Sequence, residues 1–290
     1  MTHNQASGLE HIMEPRSIFS KKGKTKFVAI TSGKGGVGKS TISANLGYSL
    51  FKSGYKVGVL DADIGLANLD IIFGIKTSKN ILHALRGEAR FNEVIYPIEE
   101  GFYLVPGDSG EEIFKYVSQE ILDSFVDEEN VLDDLDYMII DTGAGIGEFT
   151  QAFLRASDCV VVITTSDPAA ITDAYTTIKV NSKTKNDAFV LVNMVDSADK
   201  AMQIFSGIQR VAKENIPHMT LNYLGYIQNS NALKQSIKNR KLLCKSEPFN
   251  TFSFSMGQVS KILTMKMEHN VIETPKDNFI GFFKRLLRYL

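Results

Sequence analysis

The chain has 290 residues, 43% hydrophobic and 22% charged, which is ordinary for a folded soluble protein. Lys+Arg 32 against Asp+Glu 33 leaves a net charge of -1, so the surface as a whole is not a nucleic-acid footprint, although a local basic patch is not excluded. Cys159 and Cys244, the only cysteines, form no C-x-x-C pair, which excludes a disulfide framework and a paired-cysteine zinc site and suits a reducing cytosol.

Residues 1–25 are polar, with Gly8, Pro15, Lys21, Lys22 and Lys24, and read as a flexible arm with one short helical motif. Met1–Gln5 begins no basic-then-apolar signal pattern, and no stretch stays apolar for the roughly 18 residues of a membrane span. Phe27–Ile30 is a buried-strand run ending in a Gly-rich turn. A helical pattern follows through Ile42, Leu46 and Leu50 to a stop at Ser53–Gly54. Val57–Leu60 is a second strand, ending in Asp61. Later runs are Phe102–Val105, Tyr137–Ile140, Cys159–Ile163, Phe189–Val192 and Leu221–Ile227, most of them separated by segments of helical length. Strands that are apolar without alternation belong to a parallel sheet covered on both faces. The order predicts a doubly wound α/β domain over 26–270. Thr274–Pro275 then breaks the chain before a last segment, 277–290.

Gly33, Lys34, Gly35, Gly36, Val37, Gly38, Lys39, Ser40 and Thr41 fit G-x-x-x-x-G-K-[ST] between a predicted strand and a predicted helix, the context of a P-loop NTPase. The glycines let backbone N–H groups turn inward on phosphate oxygens, and the helix start adds its dipole. Lys39 supplies a point charge to the β and γ phosphates, and the Ser40 hydroxyl is placed to hold Mg²⁺. An ordinary phosphate loop leaves the position of Lys34 unrestricted. Lys34–Thr41 resembles the deviant Walker A loop of the MinD/ParA class of ATPases. The resemblance implies that Lys34 reaches across a nucleotide-sandwich homodimer to the partner's phosphates.

Asp61 and Asp63 follow the second strand, and Asp141 ends the run Tyr137–Ile140. Carboxylates at the carboxyl ends of parallel strands face the ligand crevice. Asp141 is placed to hold Mg²⁺, directly or through water, and Asp63 could polarise the attacking water or hold a Mg²⁺ water. Either acid alone could be only a helix cap. Asp61–Asp70 is similar to the switch I segment of MinD, which implies a catalytic role for Asp63. Asp141–Ile146, with Gly143 and Gly145, resembles switch II. MinD usually has Pro where Gly143 stands, so a looser switch is expected. The resemblance also implies that Asn193 and the loop containing Ile227 meet the adenine of ATP. Many relatives have Arg where Met194 stands, and the loop Gly225–Asn229 lacks the family's usual Pro.

In 277–290 the residues Phe279, Phe282, Phe283, Leu286, Leu287 and Leu290 recur at spacings of three and four, with Lys284, Arg285 and Arg288 opposite. Such a helix suits an anionic membrane surface or packs on its own domain. The MinD resemblance implies the first, with docking in a groove of the monomer and release on dimerisation as an added possibility. Asn4–Leu9, with Gln5, Ala6 and Leu9, resembles the activation motif of the FlhG (FleN, YlxH) family within the MinD class, with Asn4 and Glu10 as departures. That family implies control of flagellar number and placement by a slow, Mg²⁺-dependent ATPase. Its implied partners are the FlhF GTPase, flagellar C-ring switch proteins of the FliM/FliN type and, in some relatives, a transcription activator. The implied location is the cytoplasm and, reversibly, the inner face of the cell membrane, at the pole in polar-flagellate bacteria. A MinD-type cell-division regulator is the alternative. A DNA-partitioning ParA is disfavoured by the near-neutral charge and apolar last helix, so no direct DNA binding is expected. The missing paired cysteines count against an iron–sulfur carrier. Lys234, Lys238, Arg240, Lys241 and Lys245 read as a solvated basic face.

Overall fold

Strand β1 (Lys26–Ser32) turns Val28 and Ile30 to one face of the sheet and Phe27 and Ala29 to the other, and all four are fully buried. A strand buried on both sides requires helices on both sides. The computed structural model describes residues 25–63, 68–107, 131–269 and 278–289. The arm with Gln5, Ala6 and Leu9, the segment 64–67 and Leu290 lie outside the described residues.

Six further strands run parallel to β1: β2 (Val57–Ala62), β4 (Phe102–Val105), β5 (Tyr137–Ala144), β6 (Cys159–Thr164), β7 (Asp187–Val195) and β8 (Thr220–Gln228). Strand β3 (Tyr96–Glu99) pairs antiparallel with β4. The sheet order is β3-β4-β2-β5-β1-β6-β7-β8, so β1 lies where the chain's progress across the sheet reverses. The seven parallel strands coincide with the apolar runs of the sequence, β4 residue for residue and the other six extended by one to several residues. Strand β3 escaped the sequence reading because it has four residues, one of them Pro97, and no fully buried side chain.

Helices α1 (Lys39–Lys52) and α9 (Thr251–His269), with the short α2 (Leu69–Phe73), α7 (Asn231–Lys238) and α8 (Leu243–Ser246), pack on the Val28/Ile30 face. The opposite face carries α3 (Ile81–Leu85), α4 (Glu148–Ala156) and α10 (Phe279–Leu287) over Phe27, Met138 and Ile140. Beside them, α5 (Pro168–Asn181) and α6 (Ala198–Asn215) cover Ala29, Val160, Val162 and Val190. Among the described residues no helix is long and apolar enough to cross a membrane.

The last helix belongs to this core. Asn278 caps α10, its Oδ1 accepting from the Gly281 N–H at 3.0 Å. Phe279, Ile280, Phe282, Phe283 and Leu286 are buried, and Leu287 is partly buried against the same cluster. The Phe282 ring stacks on Phe27 at 4.4 Å, and Phe279 lies 5.2 Å from Phe91. The bed includes Ala152, Phe153 and Ala156 of α4. Arg285 spans the rings of Phe27 and Phe282 at 5.8 and 6.0 Å and lies 3.8 Å from Asp158 Oδ1. Each fully buried large apolar side chain contributes about 1.5–3 kcal/mol. Docking is therefore substantial, and of the apolar residues read as membrane-facing, Phe279, Phe282, Phe283 and Leu286 are covered by protein in this arrangement.

Candidate functional site

The carboxyl ends of β1, β2 and β5 open on a cleft of about 570 Å³ at the sheet's topological switch point. Its floor is the phosphate loop. Gly33 is pressed against α5, where an added Cβ would lie 2.4 Å from the Asp173 backbone. Gly38 adopts φ 87° as the N-cap of α1, with no side-chain cap and no acid in the helix's first turn. The N–H groups there and the positive end of a 14-residue helix are left for an anion.

Lys39 Nζ, 6% exposed on its side chain, lies 3.1 Å from Asp141 Oδ1 and 3.5 Å from Asp63 Oδ2. Asp141 is completely buried. Its Oδ1 also accepts from Ser43 Oγ at 2.8 Å, whereas Oδ2 has no hydrogen-bond partner among the described residues. Burial pushes this carboxyl above the usual carboxylate range. The Lys39 charge and the Ser40 and Ser43 hydroxyls oppose that push. A buried carboxylate oxygen with an open lone pair, beside the Ser40 hydroxyl and Asp63, suits a hard divalent cation or its water. The donor set therefore fits Mg²⁺.

Asp61 is held differently. Its Oδ1 accepts from the Asp63 N–H at 3.2 Å, and its Oδ2 accepts from Asn68 and Leu69 at 3.0 and 3.1 Å. It fastens the two ends of the switch segment and starts α2. Burial and the charge of Asp141 push its carboxyl up to about 7. Switch II is attached to the phosphate loop: the Gly145 N–H donates to Ser32 O at 2.8 Å, and Ser32 Oγ donates to Lys34 O at 2.9 Å. An added Cβ at Gly143 would stand 3.4 Å from Asp63 Oδ1. Gly147 then caps α4 directly.

Lys34 lies at the cleft rim, its Nζ 2.5 Å from Asp167 Oδ2, with both side chains about half exposed. The other Asp167 oxygen caps α5 by accepting from the Ala169 N–H at 2.9 Å. The pair raises the Lys34 ammonium and lowers the Asp167 carboxyl from their ordinary values. Asn193 is buried at the end of β7. Its Nδ2 donates to Val37 O at 2.7 Å, and among the described residues its Oδ1 has no partner. That free acceptor suits an exocyclic amine such as adenine N6. Ile227 is fully buried in the α1/α9 core, which corrects a side-chain contact with the base: outward positions on that loop belong to Gln228 and Asn229.

Lys34, Lys39, Ser40 and Asp63 thus line one cleft, and Asp141 lies buried behind it against Lys39. Ser43 and Asp167 were not singled out from sequence. Ser43 follows Lys39 by four residues on the same helix face, and Asp167 is a strand-end acid of the same kind as Asp63.

The family model for ParA, described as "NUBPL iron-transfer P-loop NTPase", matches residues 23–263. The flagellum site-determining protein YlxH of Helicobacter pylori is 59% identical over 99% of each chain. The antiactivator FleN of Pseudomonas aeruginosa is 28% identical over 90% of this chain and 93% of its own. The septum site-determining protein MinD of Pyrococcus horikoshii, solved in complex with Mg-ADP, superposes with a TM-score of 0.65 at 21% identity. That match covers 86% of this chain and 100% of the other.

Proposed function

The chain belongs to the MinD/ParA family of P-loop NTPases, in the branch of the flagellum site-determining proteins, and from that premise we propose an ATP-driven dimerising switch that controls the number and placement of flagella. The observation that carries the reading is the cluster of buried Lys39 and Asp141 with the partly exposed Asp63 at the mouth of an uncapped α1.

The loop N–H groups and Lys39 bind the β and γ phosphates of ATP, while Asn193 Oδ1 accepts from the adenine amine. Ser40, Asp141 and Asp63 would hold Mg²⁺, which when bound neutralises the charge developing on the transferred phosphoryl group. Asp63 orients the attacking water. Lys34 leaves Asp167 and completes the partner's site, so the ATP state is a homodimer. The Ser32–Gly145 hydrogen bond links the phosphate loop to switch II, and α4 carries a movement there to the bed of α10. Release of α10 would present its aromatic face, with Lys284, Arg285 and Arg288, to anionic lipid at the inner face of the membrane. Gln5, Ala6 and Leu9 would stimulate FlhF, and C-ring switch proteins and a transcription activator would read the dimer.

Liposome sedimentation with acidic lipids in ADP and ATP tests the switch. Pelleting is expected with ATP and not with ADP. Equal pelleting in both states, or none in either, refutes nucleotide-gated membrane binding.

A further inference from the structure

We propose that Ser43 is a positioning residue for the magnesium site, holding Asp141 so that its second oxygen faces the metal; the proposal rests on the Mg²⁺-nucleotide reading of the cleft. Ser43 is fully buried on α1, one turn beyond Lys39. Its hydroxyl reaches two acceptors, Asp141 Oδ1 at 2.8 Å and the Lys39 carbonyl at 3.0 Å. A hydroxyl has one proton, so it donates to one of them at a time. The carbonyl four residues back is the ordinary resting place of a helix serine and gives the residue no role in the site. The carboxylate contact is shorter and charge-assisted, about twice as strong as a neutral one, and it takes the proton.

The consequence emerges when the other donors are followed. Asp141 accepts hydrogen bonds from Lys39 and Ser43 on Oδ1, and the Ser40 hydroxyl also acts on the carboxylate. A triphosphate draws the Lys39 ammonium to its β and γ oxygens. The Ser40 hydroxyl turns to the metal. Asp141 would then be a wholly buried carboxylate that has lost its cation, and Ser43 is the donor that remains. A hydrogen bond fixed on Oδ1 sets the carboxylate plane and leaves Oδ2 for the metal or its water. Ser43 thus stands to Asp141 as an outer-shell group stands to a metal ligand: it touches neither nucleotide nor metal and acts through the residue that does.

The test is calorimetric titration of the full chain with ADP, in excess Mg²⁺ and in EDTA, for wild type, Ser43→Ala, Ser43→Thr and both Asp141→Asn backgrounds. Loss of an outer-shell partner costs on the order of 10- to 100-fold in metal affinity. Ser43→Ala is expected to bind ADP like wild type in EDTA and to lose about that factor of the Mg²⁺-dependent gain. Ser43→Thr, which keeps the donor, recovers it, and Ser43→Ala adds nothing once Asp141 is Asn. A Ser43→Ala protein with the full Mg²⁺ gain overturns the role while leaving the nucleotide reading intact. Equal weakening in EDTA overturns it too, by making Ser43 a support of the loop alone. If wild-type ADP binding ignores Mg²⁺, the magnesium reading of the cleft fails and the proposal with it; if ADP does not bind at all, the nucleotide reading fails too.

Discussion

Replacing Phe91 by Ala tests whether α10 is a detachable part of the core. Phe91 is fully buried, belongs to the domain rather than to the helix, and lies 5.2 Å from the Phe279 ring. Removing it leaves every side chain of α10 in place. A buried Phe→Ala change costs about 3–5 kcal/mol. Phe91 also packs with α3, so taking half of that cost as docking energy removes ~2 kcal/mol from the bound helix. At ~1.4 kcal/mol per tenfold, this shifts the docked-to-released ratio by roughly 30-fold. The assay has two arms. Hydrogen exchange at amides 279–287 should accelerate by that factor in the ADP state while β1 and β5 stay protected, and ADP-state pelleting with acidic liposomes should rise. Faster exchange of α10 only together with global unfolding would refute a separable helix. Released helices that do not pellet would refute the lipid assignment.

Asp63→Ala should bind ATP and stay dimeric but fail to hydrolyse it, as single-turnover phosphate release would report; wild-type turnover would remove Asp63 from the chemistry. Lys34→Ala should lose ATP-dependent dimerisation in analytical ultracentrifugation. Asp167→Asn frees Lys34 while keeping a good N-cap for α5. An exposed pair of this kind is worth about 0–1 kcal/mol, so half-dimerisation should move to lower ATP by no more than about fivefold, at unchanged melting temperature. Gly33→Ala should weaken nucleotide binding and lower the melting temperature together, because its methyl meets the Asp173 backbone, which cannot move aside without shifting α5. A wild-type melting temperature would show that the loop has slack at that point.

Most of the site was legible before the fold. A glycine loop between strand and helix and acids at strand ends carry their chemistry in local order, and the parallel sheet brings those ends together. What was not legible depended on partners remote in sequence. Asp61 and Asp63 are alike as residues, yet the backbone N–H groups of Asn68 and Leu69 make the first a fastener and leave the second facing Lys39. Ser43 gains its meaning only from Asp141, 98 positions away. Ile227 was placed at the base by its position in a loop, and a register shift in β8 at Gly225 puts it beside Leu224 in the core instead. The amphipathic pattern of 277–290 was correctly a helix, but such a stripe records only that something apolar covers it. Here that cover is Phe27, Phe91 and Phe153.

The stacking of Phe282 on Phe27 has a consequence for protein production. A chain cut before Asn278 does not simply lose an address label. It uncovers part of the first strand of the sheet together with Phe91 and Phe153, a greasy trough that invites self-association in the test tube. Reversing charge at the exposed Arg288 removes none of the five docked side chains. Such a variant changes the charge of the helix without uncovering that trough.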